Sequence, residues 1–499
     1  MSLLMSVCLS CDFNPFSMKK YLLISGFIAC LYFVSGCARN PVTGKRQVVL
    51  MSEKDEIALG QESDPQIIAQ FGLYQDTALQ NFISTRGEQM VAISHRPNLD
   101  FNFRVLNSEV VNAFAVPGGY VYLTRGMLAY LNSEADFVGV LGHEIGHVTH
   151  RHAVAQHRNM ILGQVGVIAG VILVPQLGNM IGTMSTGLQL LFLKYSRDAE
   201  READELGVEY STRIGYDARE MARFFNTLER QRVGTQAAEL PEFMSTHPNP
   251  GDRFTTVNRL AAEWQNKLNL ANPIINRNIY LRRIDGLIFG EDPKEGFRQN
   301  NVFYHPVLRF QFPIPANWNY QNTPQMVQMA PVDGKALLML RLAPGNSLQS
   351  ATDSILLMYR LTPVDMRNIT VNGLPAVFLI ADQRPQDQNQ PVLRTQSYII
   401  QHNDNLYHLI GVSTMSDFNN YVASFNYTMQ GFRNLTDPVI INKKADRIRL
   451  RSANSTMTLA QFFRQHNVPE SKLEEYSILN GMQLTDNVTA GMLVKIIGQ

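Results

Sequence analysis

The stretch Leu141-Gly142-His143-Glu144-Ile145-Gly146-His147 sets two histidines four residues apart, with a glutamate directly after the first. Residues at that spacing share one face of an α-helix. His143 and His147 can therefore aim imidazole nitrogens at one metal ion, with Glu144 leaning toward the same centre. Two imidazoles and a carboxylate in this HExxH pattern suit zinc-dependent hydrolysis of a peptide bond. Zinc there would acidify a water and polarise the scissile carbonyl, while Glu144 takes the water's proton and later delivers it to the leaving amine. Catalytic zinc usually keeps three protein ligands, so a third must come from elsewhere. Downstream, in Tyr195-Ser196-Arg197-Asp198-Ala199-Glu200-Arg201-Glu202-Ala203-Asp204, Glu200 and Asp204 also share a helix face. Glu200 can ligate zinc, and Asp204 can accept a hydrogen bond from a ligand histidine's second nitrogen and fix its tautomer. The spacing permits a charged, solvated helix face as well, because Arg197, Asp198, Arg201, Glu202 and Glu205 surround the pair.

These residues need elements to hold them. Ser133-Glu134-Ala135-Asp136 reads as a capping box. Phe137, Val140, Leu141 and Val148 continue it as an apolar stripe, so the HExxH segment is expected inside a largely buried helix. Val111 to Val116 reads as a strand, Pro117-Gly118-Gly119 as a turn and Tyr120 to Leu123 as a second strand. An edge strand beside the metal helix can pair with an extended substrate backbone. Ser52-Glu53-Lys54-Asp55 caps a helix running toward Phe71, which Pro65 is expected to interrupt or kink. A second helix covers roughly Ala78 to Ile93.

Four segments occur in one order: Asn112-Ala113-Phe114-Ala115-Val116-Pro117-Gly118-Gly119, then Thr124-Arg125-Gly126, then the HExxH, then Ser196-Arg197-xx-Glu200-xxx-Asp204. Together they resemble the metallopeptidase family of HtpX, BepA and the CAAX prenyl proteases, over roughly Pro41 to Leu270. The resemblance implies one zinc per chain, held by His143, His147 and Glu200, with Asp204 hydrogen-bonded behind them; Glu202 falls off the pattern. Thr246-His247-Pro248 followed by Arg253 is similar to an HPxxxxR segment of periplasmic BepA-like members. By that resemblance His247 is a regulatory fourth ligand that displaces the water, and Arg253 joins Glu144 as a catalytic residue by stabilising the oxyanion. His150, His152 and His157 read as structural or exposed, not as ligands, although Arg151-His152 resembles a common family ending. The apolar, Gly-rich stretch from Asn159 to Leu193 is too interrupted for a comfortable membrane span. It is expected to form a helical hairpin over the cleft, or else a patch resting on lipid or a client.

With 499 residues, two or three domains are expected. A net charge of +1 disfavours a nucleic-acid role. Met18-Lys19-Lys20, an apolar run from Tyr21 to Val34 and Val34-Ser35-Gly36-Cys37 look like a bacterial lipoprotein signal. Residues 1–37 are thus read as a signal peptide ending at the lipidated Cys37. This places the chain on the periplasmic face of the cell envelope, anchored to a membrane, with the outer membrane favoured. The four cysteines, Cys8, Cys11, Cys30 and Cys37, all lie at or before that cleavage site. The remaining chain would then carry no disulfide.

The expected fold is multidomain α+β. A mainly helical zincin domain with a small sheet occupies residues 38–275. An antiparallel α+β accessory domain, weakly similar to the PsbP/Mog-like fold, occupies 290–436. A small βααβ module at 446–499 resembles LysM and brings in peptidoglycan as a further partner. The chemistry points to a zinc metalloendopeptidase acting on protein and peptide substrates, namely misfolded or misassembled envelope proteins. The rivals are a latent protease serving as a chaperone-like scaffold and an integral membrane protease.

Overall fold

The computed structural model of the protein describes residues 37–48, 50–161, 194–234, 242–248, 252–385 and 391–499. The signal segment before Cys37 and residues 162–193 of the expected hairpin lie outside the described residues. No helix among the described residues is long and apolar enough to cross a membrane. The chain is mixed helix and sheet: a helical region with a small sheet comes first and a sheet-rich region follows.

The backbone of Cys37 opens strand β1 (Cys37–Arg39), which pairs antiparallel with β2 (Arg46–Val48). Helix α1 (Glu53–Phe71) starts on a complete capping box between Ser52 and Asp55 and runs through Pro65 without a break. This corrects the expected interruption. Pro65 and Gln61, the residue whose carbonyl loses its helical donor, are not buried, so water can satisfy that carbonyl. Helix α2 (Thr77–Val91) is capped by Asp76. Next come β3 (Asn102–Leu106), β4 (Ala113–Val116) and β5 (Tyr120–Thr124), in the order β3-β5-β4. β4 is an edge, antiparallel to β5, and β3 lies parallel to β5. Gly118 and Gly119 turn the β4–β5 hairpin at φ 83° and 91°. A Cβ on Gly118 would come within 2.7 Å of the Glu56 carbonyl on α1, so the hairpin tip lies directly against that helix.

After α3 (Arg125–Tyr130), helix α4 (Glu134–His150) carries the HExxH, and all of its residues are buried. The Ser133 hydroxyl accepts from the Asp136 amide at 3.0 Å, and an Asp136 carboxylate oxygen accepts from the Ser133 amide at 3.0 Å. Ser133→Ala is expected to lower the unfolding free energy by about 1 kcal/mol, read as a shift in the denaturant midpoint; an unchanged midpoint would show that burial alone starts this helix. The other end of α4 stops at Arg151, in the left-handed region at φ 60°. Arg151 and Arg96 both pair with the buried Glu56, which closes an ion network between α1 and the end of α4. Helices α5 (His152–Ile161), α6 (Arg197–Arg213), α7 (Arg219–Gly234), α8 (Glu242–Thr246), α9 (Arg253–Lys267) and α10 (Arg277–Arg283) follow.

The sheet-rich region holds a four-stranded sheet and a seven-stranded antiparallel sheet. The larger sheet runs from the exposed edge strand Thr362–Val371 to Trp318–Asn322, with helices Leu348–Met358 and Phe418–Gln430 packed against it. In the last segment, strand Arg447–Ser452 pairs antiparallel with strand Leu493–Gly498, and helices Leu459–Gln465 and Leu473–Leu479 lie between them in sequence. This segment is built into the helical region. Ile448, Ile478, Leu479 and Leu493 belong to the same apolar cluster as Leu141 and Ile145 of α4. The buried Lys495 Nζ donates to the carbonyls of Ala129 (2.7 Å) and Leu131 (3.0 Å), just ahead of the α4 cap. Burial holds Lys495 well below the usual lysine range.

Candidate metal centre

Helices α4 and α6 cross at small residues. A Cβ on Gly142 would lie 3.1 Å from the Gly207 carbonyl, one on Gly146 3.1 Å from the Ala203 carbonyl, and one on Gly207 3.0 Å from the His143 amide. The backbones therefore meet almost without intervening side chains, and that closeness lets Glu200 on α6 reach both histidines of α4. Gly207→Val is expected to cost about 1–3 kcal/mol by overpacking and to pull Glu200 from its partners. Loss of bound zinc alongside lowered stability would support this; full zinc content would show that the crossing can spread without disturbing the site.

Glu200 and Asp204 are buried, whereas the side chains of Asp198, Arg201 and Glu202 are 89%, 44% and 47% exposed. The face that α6 turns to α4 is thus the Glu200/Asp204 face. The Nε2 atoms of His143 and His147 lie 3.0 Å apart. Glu200 Oε2 is 3.6 Å from His143 Nε2, and Glu200 Oε1 is 3.5 Å from His147 Nε2. His143 Nδ1 lies 2.9 Å from Asp204, so a proton on Nδ1 leaves Nε2 as a free lone pair.

His247 completes the group. Its Nδ1 lies 3.1 Å from Glu200 Oε1 and 3.3 Å from His143 Nε2, and Phe243 stacks on its ring at 4.5 Å. The ligand atoms of His143, His147, Glu200 and His247 all fall within 4.8 Å of one another. Two nitrogens on one tetrahedral zinc stand about 3.3 Å apart, so the donor set fits zinc. Both Glu144 oxygens and His247 Nε2 are buried without a hydrogen-bond partner, as fits a site whose polar atoms address something other than protein.

The electrostatics of the two α4 histidines agree. Burial pushes His143 and His147 well below the usual histidine range, favouring the neutral, metal-binding form. Burial raises Glu144 to about 7. Burial alone would lower His247, but the Glu200 and Glu144 carboxylates outweigh it and hold that histidine up. Arg253 turns its Nε and Nη2 to the Asp204 carboxylate at 2.7 Å each, lies 3.3 Å from Glu200 Oε2 through Nη2, and stacks on Phe225 at 3.7 Å. The expected site residues His143, Glu144, His147, Glu200, Asp204, His247 and Arg253 therefore stand together. The backbone of Cys37 lies in the separate strand β1.

Several contributors escape a reading of the sequence. The Tyr195 ring stacks on His147 at 4.1 Å, with its amide bound to the Thr246 carbonyl. His152 Nδ1 lies 2.9 Å from His147 Nδ1, and His152 Nε2 lies 3.0 Å from Glu202. The segment bearing His247 is tied down where the Phe243 amide donates to the Val111 carbonyl, just ahead of edge strand β4. His147 and Tyr195 also line a small cavity against Ala115 and Val116 of β4.

Residues 77–261 match the profile of peptidase family M48. The chain is 32% identical over 234 residues to a beta-barrel assembly-enhancing protease of Yersinia pestis, covering 45% of this chain and 48% of that one. It is 29% identical over 252 residues to the protein of that name in Escherichia coli K12, covering 49% and 50%. It is 31% identical over 159 residues to the mitochondrial metalloendopeptidase OMA1 of Arabidopsis thaliana, covering 32% and 31%. The chain spans about half the length, or less, of these curated relatives.

Proposed function

Taking residues 77–261 as a peptidase family M48 domain, we propose that the chain is a zinc-dependent metalloendopeptidase of the bacterial cell envelope that hydrolyses misfolded or misassembled proteins there. The observation that carries this reading is the buried convergence of His143, His147 and Glu200 with Glu144 beside them. His143 and His147 supply Nε2 lone pairs and Glu200 a carboxylate, and Asp204 holds the His143 tautomer. Bound zinc supplies an acidified water and a polarised scissile carbonyl. Glu144 accepts the proton and returns it to the leaving amine. The edge of β4 receives the substrate backbone as an added strand, so that recognition is partly independent of sequence. Arg253 holds Asp204 in place and lends positive charge as the carbonyl oxygen gains negative charge. The names of the relatives from Yersinia pestis and Escherichia coli support the envelope setting. Lipidation at Cys37, facing the periplasm, and contact of the 446–499 module with peptidoglycan belong to the same reading.

The chain from Ala38 onward should bind one zinc and cleave an unfolded protein such as casein. A preparation that takes up no zinc overturns the ligand set. The position of His247 Nδ1 favours a second reading: a latent enzyme, closed at its fourth ligand position, that serves mainly as a scaffold for envelope assembly. Zinc uptake without cleavage, with client binding intact, would select that reading.

A further inference from the structure

His147 turns Nε2 toward His143 and Glu200 and therefore has its Nδ1 left over. That nitrogen does not meet a carboxylate, as the Nδ1 of His143 does. It lies 2.9 Å from Nδ1 of His152, and the far nitrogen of His152 lies 3.0 Å from Glu202. His150 stacks on the outer face of His152 at 5.0 Å, with its own Nδ1 3.6 Å from the same Glu202 oxygen. His147 and His152 are buried, while the Glu202 side chain is 47% exposed. The three side chains thus run in one line from the metal centre to solvent.

We infer that His152 and Glu202 are positioning residues that order the protons behind His147. Each hydrogen bond then has one donor and one acceptor. With the Nε2 lone pair of His147 committed to zinc, the proton of that ring is on Nδ1 and is donated to His152 Nδ1. His152 accepts there, so its proton is on Nε2 and is donated to the Glu202 carboxylate. The relay fixes the His147 tautomer, holds the ring against rotation and passes part of the Glu202 charge to the ligand nitrogen.

The same geometry argues against a second metal on His150, His152 and Glu202, although their ligand atoms also cluster within 4.8 Å. A metal on His152 Nε2 would displace the only proton of a ring whose Nδ1 is already an acceptor, which would require an imidazolate. The inference rests on His147 being a zinc ligand, and the test separates the two.

Zinc affinity is measured on the purified protein by competition with a chromophoric chelator, with circular dichroism to check folding. Wild type, His152→Ala, His152→Asn, Glu202→Ala and the double variant His152→Asn/Glu202→Ala are compared. His152→Ala is expected to weaken zinc binding by about 10-fold or more, within the range for loss of a partner behind a ligand histidine. In His152→Asn, the amide oxygen can occupy the place of Nδ1 and still accept from His147, so most of the affinity should return. Glu202→Ala should weaken binding in the wild-type background and have no effect on top of His152→Asn. Wild-type affinity in His152→Ala, or equal losses from Glu202→Ala in both backgrounds, would overturn the relay. So would a wild-type protein that binds two zinc ions and loses only the second in His152→Ala. If His152→Ala does not fold, His152→Asn and the exposed Glu202→Ala still decide the matter. A folded wild-type protein that binds no zinc refutes the ligand set itself, and the relay with it.

Discussion

Glu144→Gln is expected to leave zinc bound and to lower casein cleavage by about 10²–10⁴-fold, the usual worth of a positioned general base. The substitution keeps the shape of a side chain that is fully buried on α4, so ligand geometry should survive. It removes the one carboxylate in the site whose oxygens both lack a hydrogen-bond partner. Glu200 is committed to the two α4 histidines and His247, and Asp204 to His143 and Arg253. Neither is free to replace Glu144. Burial raises Glu144 to about 7, and a bound cation pulls a neighbouring carboxyl back down. Its basic form therefore gains as pH rises, and cleavage should climb with pH and level off below that value. Cleavage that persists in Glu144→Gln at unchanged zinc content would remove Glu144 from the mechanism.

His247→Ala is the second expected large effect, and it runs in the opposite direction. If the imidazole occupies the fourth ligand position about nine-tenths of the time, its removal should raise casein cleavage by roughly tenfold. Zinc affinity should fall modestly, because one of the grouped donors is gone. The segment bearing His247 is tied to the start of β4, the edge proposed to receive substrate. The Phe243 amide is bound to the Val111 carbonyl at the entrance to β4, and the Thr246 carbonyl holds the Tyr195 amide. A substrate that takes over the β4 edge competes for the same backbone region, so an extended peptide and His247 oppose each other. Wild-type and His247→Ala proteins that cleave casein at the same rate would refute the switch.

The zinc helix was legible because cap, spacing and apolar content agree along one continuous segment from Ser133 to His147. Glu200 and Asp204 were legible only as one of two alternatives. A ligand face and a solvated face have the same spacing, and what decides is the glycine crossing with α4, which is a tertiary fact. His152 and Glu202 were hidden for a geometric reason. The chain leaves the helical region at Arg151, so His152 is not placed by helix periodicity, and only the turn into α5 brings its ring back to His147. The strand Thr362–Val371 was hard to read because its apolar positions change phase, from Val364 and Met366 to Ile369 and Val371, and Val364 (55%) and Met366 (50%) face solvent on an exposed edge. Pro65 misled because the solvent-facing side of α1 tolerates a lost hydrogen bond.

Lys495 has a consequence for the order of assembly. Its Nζ donates to carbonyls that precede it by 364 and 366 residues, and nearby Leu493 and Ile497 pack into the apolar cluster around α4. Contacts of such long sequence separation form late and slowly. During synthesis, the metal helix therefore lacks this support until Lys495 has been added. A chain that stops short of Lys495 would hold its histidines in a less supported helix, and on the proposed reading cleavage would arise only once Lys495 is in place.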